Sequence, residues 1–375
     1  MNPIYLDYNA TTPISKEVAN AMRPYLEEFF GNPSSTHYYG LQTKHAVEKA
    51  RQQLAELLHC DASEIVFTSG GTESNNYAIK GIAFAQRDKG NHIITSSIEH
   101  PAVIEVCKYL EKQGFEITYL PVDKEGVVRV EDVQAALRSS TILISIMHAN
   151  NETGSIQPIA EIGAIAKQHG IIMHVDAAQS LGKIVADVRA LNVDLLSVAG
   201  HKLYAPKGIG ALYIRKGVKL EKLIHGADHE RDLRAGTENV LEIVGLGKAC
   251  EQAHNYLKEN SKHYQEMRNL LHERLQKAIP DIRLNGHLEK RLPNTLNISF
   301  PNIEANELIA RMEGVAASAG AACHSSGISV SQVLKAMNVP IKYAMGTIRF
   351  STGRYNTVEE INTAADIIIA AAKSL

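Results

Sequence analysis

The 375-residue chain carries a formal net charge of -2, so bulk charge points neither to nucleic acid nor to an acidic membrane surface. Its 45% hydrophobic content is ordinary for a soluble globular enzyme, and no apolar run approaches the roughly 20 residues a membrane-spanning helix needs. The first residues lack the basic and apolar blocks of a signal peptide, and Cys60, Cys107, Cys250 and Cys323 form no CxxC pair, which argues against a disulfide framework or metal site and for a reducing, cytoplasmic setting.

In chain order, residues 1–15 are expected to pack back against a C-terminal lobe. Residues 65–68 (Ile65-Val66-Phe67-Thr68) read as a buried strand that runs into Ser69-Gly70-Gly71-Thr72 and then a helix over 73–85. The glycines permit a sharp turn, and the helix start offers unpaired N–H groups to a phosphate, with Thr72 adding a hydroxyl. By itself a strand-Gly-Gly-helix is more often a structural turn, and it is neither a dinucleotide nor a Walker loop. Further apolar or β-rich runs lie at 92–95, 117–120, 142–146, 171–175, 195–198 and 211–214; several are mostly apolar rather than alternating, as expected of strands covered on both faces. Their alternation with helical patterns predicts an α/β fold with a mostly parallel sheet. Pro206-Lys207-Gly208-Ile209-Gly210 reads as the turn into the last of these strands.

A polar helical stretch over 251–278 follows and is expected to bridge two domains. Alternating strands at 296–300 and 347–351, with helices between and after, suit a small α+β lobe with a one-sided sheet. The expected partition is a large domain over 16–255 and a small domain built from 1–15 and 256–375.

Two of these strands end in chemistry. Residues 171–175 deliver Asp176-Ala177-Ala178-Gln179, and residues 195–198 deliver Ala199-Gly200-His201-Lys202. A Lys amine can hold an aldehyde cofactor as a Schiff base while an Asp keeps a pyridine nitrogen protonated, the way proteins handle pyridoxal 5'-phosphate (PLP). Standing alone, the pair reads equally well as a surface lysine and an N-cap aspartate. Cys323 lies in Ser318-Ala319-Gly320-Ala321-Ala322-Cys323-His324-Ser325-Ser326-Gly327, small residues that make a poor core but suit a mobile nucleophile on a long loop. Most isolated cysteines are packing residues, which is the expectation for Cys60, Cys107 and Cys250.

Further segments are Leu6-Asp7-Tyr8-Asn9-Ala10-Thr11-Thr12-Pro13, Gly31-Asn32-Pro33-Ser34-Ser35-Thr36-His37, Thr68-Ser69-Gly70-Gly71-Thr72-Glu73-Ser74-Asn75-Asn76 and Glu99-His100. Others are His148-Ala149-Asn150-Asn151-Glu152-Thr153-Gly154, Arg234-Ala235-Gly236-Thr237-Glu238-Asn239 and Arg349-Phe350-Ser351-Thr352-Gly353-Arg354. In this order, nearly end to end, the segments resemble the class V aminotransferases of PLP fold type I, and among them the NifS/IscS-type cysteine desulfurases.

The resemblance implies a role for each residue. Lys202 holds the cofactor aldehyde, Asp176 pairs with the pyridinium nitrogen, and Gln179 bonds the ring hydroxyl. His100 stacks on the ring and moves protons; outside this motif it reads as a satisfied core histidine. Gly71, Thr72 and His201 hold the phosphate, with Thr237 reaching over from a second copy in a homodimer. Asn151 and Arg349 bind the amino-acid substrate, L-cysteine, Arg349 by a bidentate fork on its carboxylate. Cys323 takes the sulfur as a persulfide, alanine leaves, and an acceptor or scaffold protein receives the sulfur for iron–sulfur clusters or thiolated nucleosides.

Three departures qualify this. Ala199 stands where many desulfurases have a phosphate-binding Ser, and Gly-Ala-Ala-Cys-His-Ser replaces Gly-Ser-Ala-Cys-Thr-Ser around the nucleophile. Both variants look closer to the selenocysteine lyase branch, so L-selenocysteine is the alternative substrate. The chain also ends at Leu375, without the extra helix longer relatives use to dock a scaffold. A third reading, a catalytically idle PLP-fold binding partner, is disfavoured by the intact Lys, Asp, His and Cys set.

Overall fold

The computed structural model describes residues 3–324 and 327–375, and for 321–324 and 327–329 the backbone alone. After a two-residue strand β1 (Ile4–Tyr5), the chain builds β2 (Ile65–Thr68), β3 (His92–Ser96), β4 (Glu116–Leu120), β5 (Thr141–Ser145), β6 (Ile172–Asp176), β7 (Leu195–Ala199) and β8 (Gly210–Ile214). The last seven form one sheet in the order β2-β8-β7-β6-β5-β3-β4. Only β8 runs against both its neighbours; the pairings among β3 to β7 are parallel.

The apolar runs are continuous because both faces of the sheet are covered. Phe67, Ile144, Val175, Leu196, Val198, Ala211 and Tyr213 enter one core, while their neighbours Val66, Ile93, Leu143, Leu195, Leu212 and Ile214 enter the opposite one. Each fully buried Ile, Leu or Val contributes roughly 1.5–3 kcal/mol, so register is strongly specified.

The polar helical stretch is two helices rather than one. Val240–Asn255 sends Ile243, Leu246, Ala249 and Cys250 into the first core, and Leu257–Ala278 sends Met267, Leu271 and Leu275 into a separate core. The junction is Tyr256. Around the second core lie β9 (Arg283–Asn285), β10 (Thr295–Ser299), β11 (Val315–Ala316), β12 (Ser318–Ala319) and, after a hairpin of β13 (Ala321–His324) with β14 (Gly327–Val330), β15 (Thr347–Ser351). The antiparallel sheet has the order β12-β15-β10-β9. Leu296, Ile298, Ile348 and Phe350 face its core with the helix Val358–Lys373. The opposite face carries Asn297, Ser299, Thr347 and Arg349. Contrary to a one-sided sheet, this face is mostly covered, only Arg349 reaching partly into the open: Asn297 donates to the Glu152 carbonyl at 3.1 Å, and Arg349 to that of Asn151 at 3.0 Å. That buried polar seam is where the site forms.

The N-terminal stretch does return to the small lobe, with β1 parallel to β11 and Leu6 inside the second core. It then crosses back, Thr12 N–H donating to the His201 carbonyl at 3.0 Å. Val330, Val333, Leu334 and Met337, although late in the chain, pack into the first core. The stretch expected as a long loop around Cys323 has strand backbone, with Cys323 paired to Ile328; the Cys323 side chain lies outside the described residues.

Candidate active site

β6 and β7 are adjacent and parallel, with Asp176 opposite Ser197. Asp176 therefore ends one strand while Lys202 closes the turn Gly200–Lys202 just past the next. Both line a cavity of about 330 Å³ together with Gly71, Thr72, His100, Asn151, Gln179, His201 and Arg349. Every expected site residue except Cys323 and Thr237 is thus gathered at one end of the sheet. Thr237 is exposed and does not border this cavity. Its loop is tied to the cradle by Arg234, whose Nε donates to Glu73 at 2.9 Å.

Lys202 Nζ donates to the carbonyls of Asn9 at 2.5 Å and Ala10 at 2.7 Å. Burial and the nearby Arg349 guanidinium push its amine down to about 8, while Asp7 and Asp176 act the other way. A substantial fraction is neutral near physiological pH, as a nucleophilic amine requires. The Asp176 carboxylate accepts from Asn75 Nδ2 at 2.7 Å and the Ala178 N–H at 2.9 Å, which fixes its direction. Desolvation holds His100 below the usual histidine range; the Asp176 charge opposes this and the Lys202 charge adds to it. Its Nδ1 accepts from the Ala102 N–H at 3.1 Å, so Nε2 carries the proton of the neutral ring. Burial and the charges of Lys202, Lys207 and Lys183 push His201 down to about 4, leaving a neutral ring.

The cradle follows from Gly70. At φ 151 and ψ 179 it occupies a region that side chains disfavour, which lets the helix Gly71–Ala85 begin beside the cavity. Its first N–H groups have no intrahelical partner and sit at the positive end of the helix dipole. Ala199 borders the cavity here with a methyl group and offers no hydroxyl. An anion-binding helix start, a partly neutral lysine, and a carboxylate across the same cavity fit a phosphorylated pyridine aldehyde.

Sequence reasoning assigned no role to Asn9, Ala10, Asn75, Met147, Ala149 or Ala178, which also line the cavity. For Asn75 a signal existed, since it lies one helical turn after Gly71. Asn9 gave none, because its role depends on the N-terminal stretch crossing between the two sheets. Cys107 and Cys250 are buried and Cys60 is half-buried. Burial pushes the Cys60 and Cys107 thiols up to about 12, which suits packing rather than nucleophilic roles.

Comparison with known proteins finds extensive similarity along nearly the whole chain. Residues 4–363 match the model of the aminotransferase class-V family. The chain is 53% identical to a cysteine desulfurase IscS of Dictyoglomus turgidum over 367 residues, 97% of this chain and 93% of that protein. A solved NifS-like protein superposes with a TM-score of 0.94 at 40% identity, covering 100% of both chains. A structure described as SspA in complex with cysteine gives a TM-score of 0.84 at 39% identity, covering 94% of this chain and 99% of that one.

Proposed function

This chain belongs to the aminotransferase class-V family, and we infer from that membership and its site that it is a PLP-dependent cysteine desulfurase, converting L-cysteine to L-alanine. The observation that carries the reading is Lys202, with its amine near pKa 8, sharing one cavity with Asp176, His100 and Arg349. Bound PLP supplies an electron sink that labilises the bonds around the substrate α-carbon.

The chain's own residues do the rest. Lys202 anchors the cofactor aldehyde, Asp176 faces the ring nitrogen, and Gln179 donates to the ring hydroxyl oxygen. Gly71, Thr72 and His201 bind the phosphate, His201 as a neutral donor. Arg349 and Asn151 orient the substrate, the guanidinium gripping its carboxylate. His100, proton on Nε2, would move protons to and from the bound substrate and cofactor. Cys323 Sγ bonds to the substrate sulfur as the substrate Cβ–Sγ bond breaks, leaving a Cys323 persulfide; protonation at Cβ gives alanine.

Thr237, exposed and outside its own chain's cavity, is assigned to the phosphate of a second copy, which makes the active unit a homodimer. The persulfide passes to an acceptor protein in the cytoplasm. The partition into a large domain (16–255) and a small one (1–15 with 256–375) belongs to the same reading, supported by the two separate cores; the packing of Val330 to Met337 into the first core cuts across it. Among the described residues, no helix is long and apolar enough to cross a membrane.

The test is to record the purified protein's absorbance, add L-cysteine, and assay alanine and a persulfide on Cys323. Cys323→Ala should abolish alanine release while the cofactor band remains. Full activity in that variant would refute the nucleophile. The selenocysteine lyase alternative rests on Ala199 and the Cys323 flank, against relatives that carry the desulfurase name along nearly the whole chain. Strong turnover of L-selenocysteine with almost none of L-cysteine would reverse that preference.

A further inference from the structure

Lys183 is a buried titratable side chain that the reading above does not use, and burial with two like charges holds its amine well below the usual lysine range. It is 5% exposed, and the charges that act on it are those of Lys202 and Arg349, both repulsive. A lysine buried among like charges without a carboxylate is costly to keep. Its Nζ donates to Gln179 Oε1 at 3.0 Å and to Asn9 Oδ1 at 3.3 Å. Gly182 makes this possible: at φ 73, with Leu203 Cδ2 2.4 Å from where a Cβ would sit, it turns the chain tightly so that Lys183 comes back beneath Gln179.

The consequence lies in the amide of Gln179. Lys183 meets its oxygen at one end, and the Asn9 carbonyl accepts from its nitrogen at 3.0 Å at the other. A backbone carbonyl only accepts, so Nε2 is held toward Asn9, and its second N–H is left for the cavity that Gln179 lines. No other donor reaches Gln179 Oε1 among the described residues; without Lys183 that oxygen is buried and unpaired. The same Nζ holds the side chain of Asn9, whose Nδ2 donates to Thr295 Oγ1 at 2.8 Å across the seam between the sheets.

We propose that Lys183 is a positioning residue that locks the Gln179 amide with its N–H, not its C=O, toward the ring hydroxyl oxygen of the cofactor. This rests on the PLP reading above. An N–H facing that oxygen favours its deprotonated form, whereas a carbonyl facing it requires the oxygen to keep its proton.

The readout is the absorbance of the cofactor-loaded protein, as the ratio of the long-wavelength band to the short-wavelength band of the hydroxyl-protonated form. Lys183→Met keeps the volume and removes the donor. It should lower the ratio by about 3- to 10-fold, the worth of one hydrogen bond. Gln179→Leu should lower it in the same direction, and Lys183→Met should add nothing further in the Gln179→Leu background. An unchanged ratio in Lys183→Met, or additive effects in the double variant, overturns the proposal. If Lys183→Met yields no folded protein, Gln179→Glu replaces it. That carboxylate keeps one oxygen for Lys183 and aims an acceptor at the cavity, so the ratio should fall similarly; an unchanged ratio again overturns the proposal. A wild-type protein that takes up no PLP removes the underlying reading, and this inference with it. A loaded wild type with an insensitive Lys183→Met removes this inference alone.

Discussion

Asp7 and Arg349 are joined by a 2.8 Å ion pair between Oδ1 and Nη2, the two side chains being 17% and 11% exposed. The guanidinium also donates to the Asn151 carbonyl and, at 3.0 Å, to Ser318 Oγ, so it is held from three elements before any substrate arrives. Its Nε is buried and without a partner. A fork fixed in this way is prepared for a second carboxylate. Arg349→Ala should cut kcat/KM for L-cysteine by about 100-fold, and Arg349→Lys should recover little, because a point charge does not replace a planar fork. Asp7→Asn should raise KM by roughly 10-fold while leaving cofactor uptake intact. Steady-state alanine formation checks both, and an unaltered KM in Arg349→Ala would remove Arg349 from substrate binding.

Much of this was legible before the structure, for a physical reason. Strands covered on both faces bury apolar side chains on both, so β2, β3 and β5 to β8 announce themselves as short, mostly apolar runs bounded by turns, their few polar side chains paired inside, such as His174 with Ser145 and Ser197. Asp176 and Lys202 follow two such runs directly, and parallel neighbours deliver their C-terminal ends to one place. What was not legible depends on contacts distant in sequence. Asn9 matters because its carbonyl meets Gln179 and Lys202 while its side chain meets Thr295, which no local pattern reveals. The buried polar face of β10 and β15 looks, in sequence, like a solvated face. Lys183 looks like an ordinary surface lysine until Gly182 folds it inward.

Lys202 gives a pH dependence whose sign is fixed. Its amine lies near pKa 8, lowered from 10.5, so the neutral and reactive fraction grows as pH rises toward 8 and then levels. PLP added to cofactor-free protein should therefore load at a rate that climbs up to about tenfold per pH unit below that midpoint. Stopped-flow absorbance from pH 6 to 9 measures this. A rate still climbing past pH 9 would mean that Lys202 keeps an ordinary lysine pKa, and Lys202→Ala should show no loading band at any pH.

Glu99, next to the site, should make stability fall with pH. Burial, with a smaller push from the Asp176 charge, raises its carboxyl from 4.5 to about 8 despite bonds from Ser96 and the Met147 N–H. Between those values the unfolded chain releases this proton while the folded chain keeps it, so stability is lost as pH rises from about 4.5 to 8. Its Oε2 is buried without a partner, which fits a neutral acid better than a carboxylate. Glu99→Gln mimics that neutral form. It should melt close to wild type at pH 5 and gain on the order of 2–4 kcal/mol relative to wild type at pH 8. Thermal melts of both proteins at the two pH values decide it; a constant difference would place the ionised form in the fold.

Ala199 offers a test of the cradle that adds a group rather than removing one. Its Cβ lies 3.2 Å from where a side chain on Gly71 would begin, so residue 199 abuts the helix start assigned above to the phosphate. Ala199→Ser puts a hydroxyl there at little steric cost and supplies one more donor to the anion. Cofactor dissociation should slow by about fivefold, the worth of one hydrogen bond near 1 kcal/mol. Gly71→Ala should act in the opposite direction, because its new methyl crowds Ala199 and intrudes on the same space. The rate of PLP release from the three proteins, followed by loss of the cofactor band after dilution, gives the order directly. If Ala199→Ser releases PLP as fast as wild type while Gly71→Ala releases it faster, the helix start binds the phosphate without help from position 199, and the missing serine of this chain carries no cost.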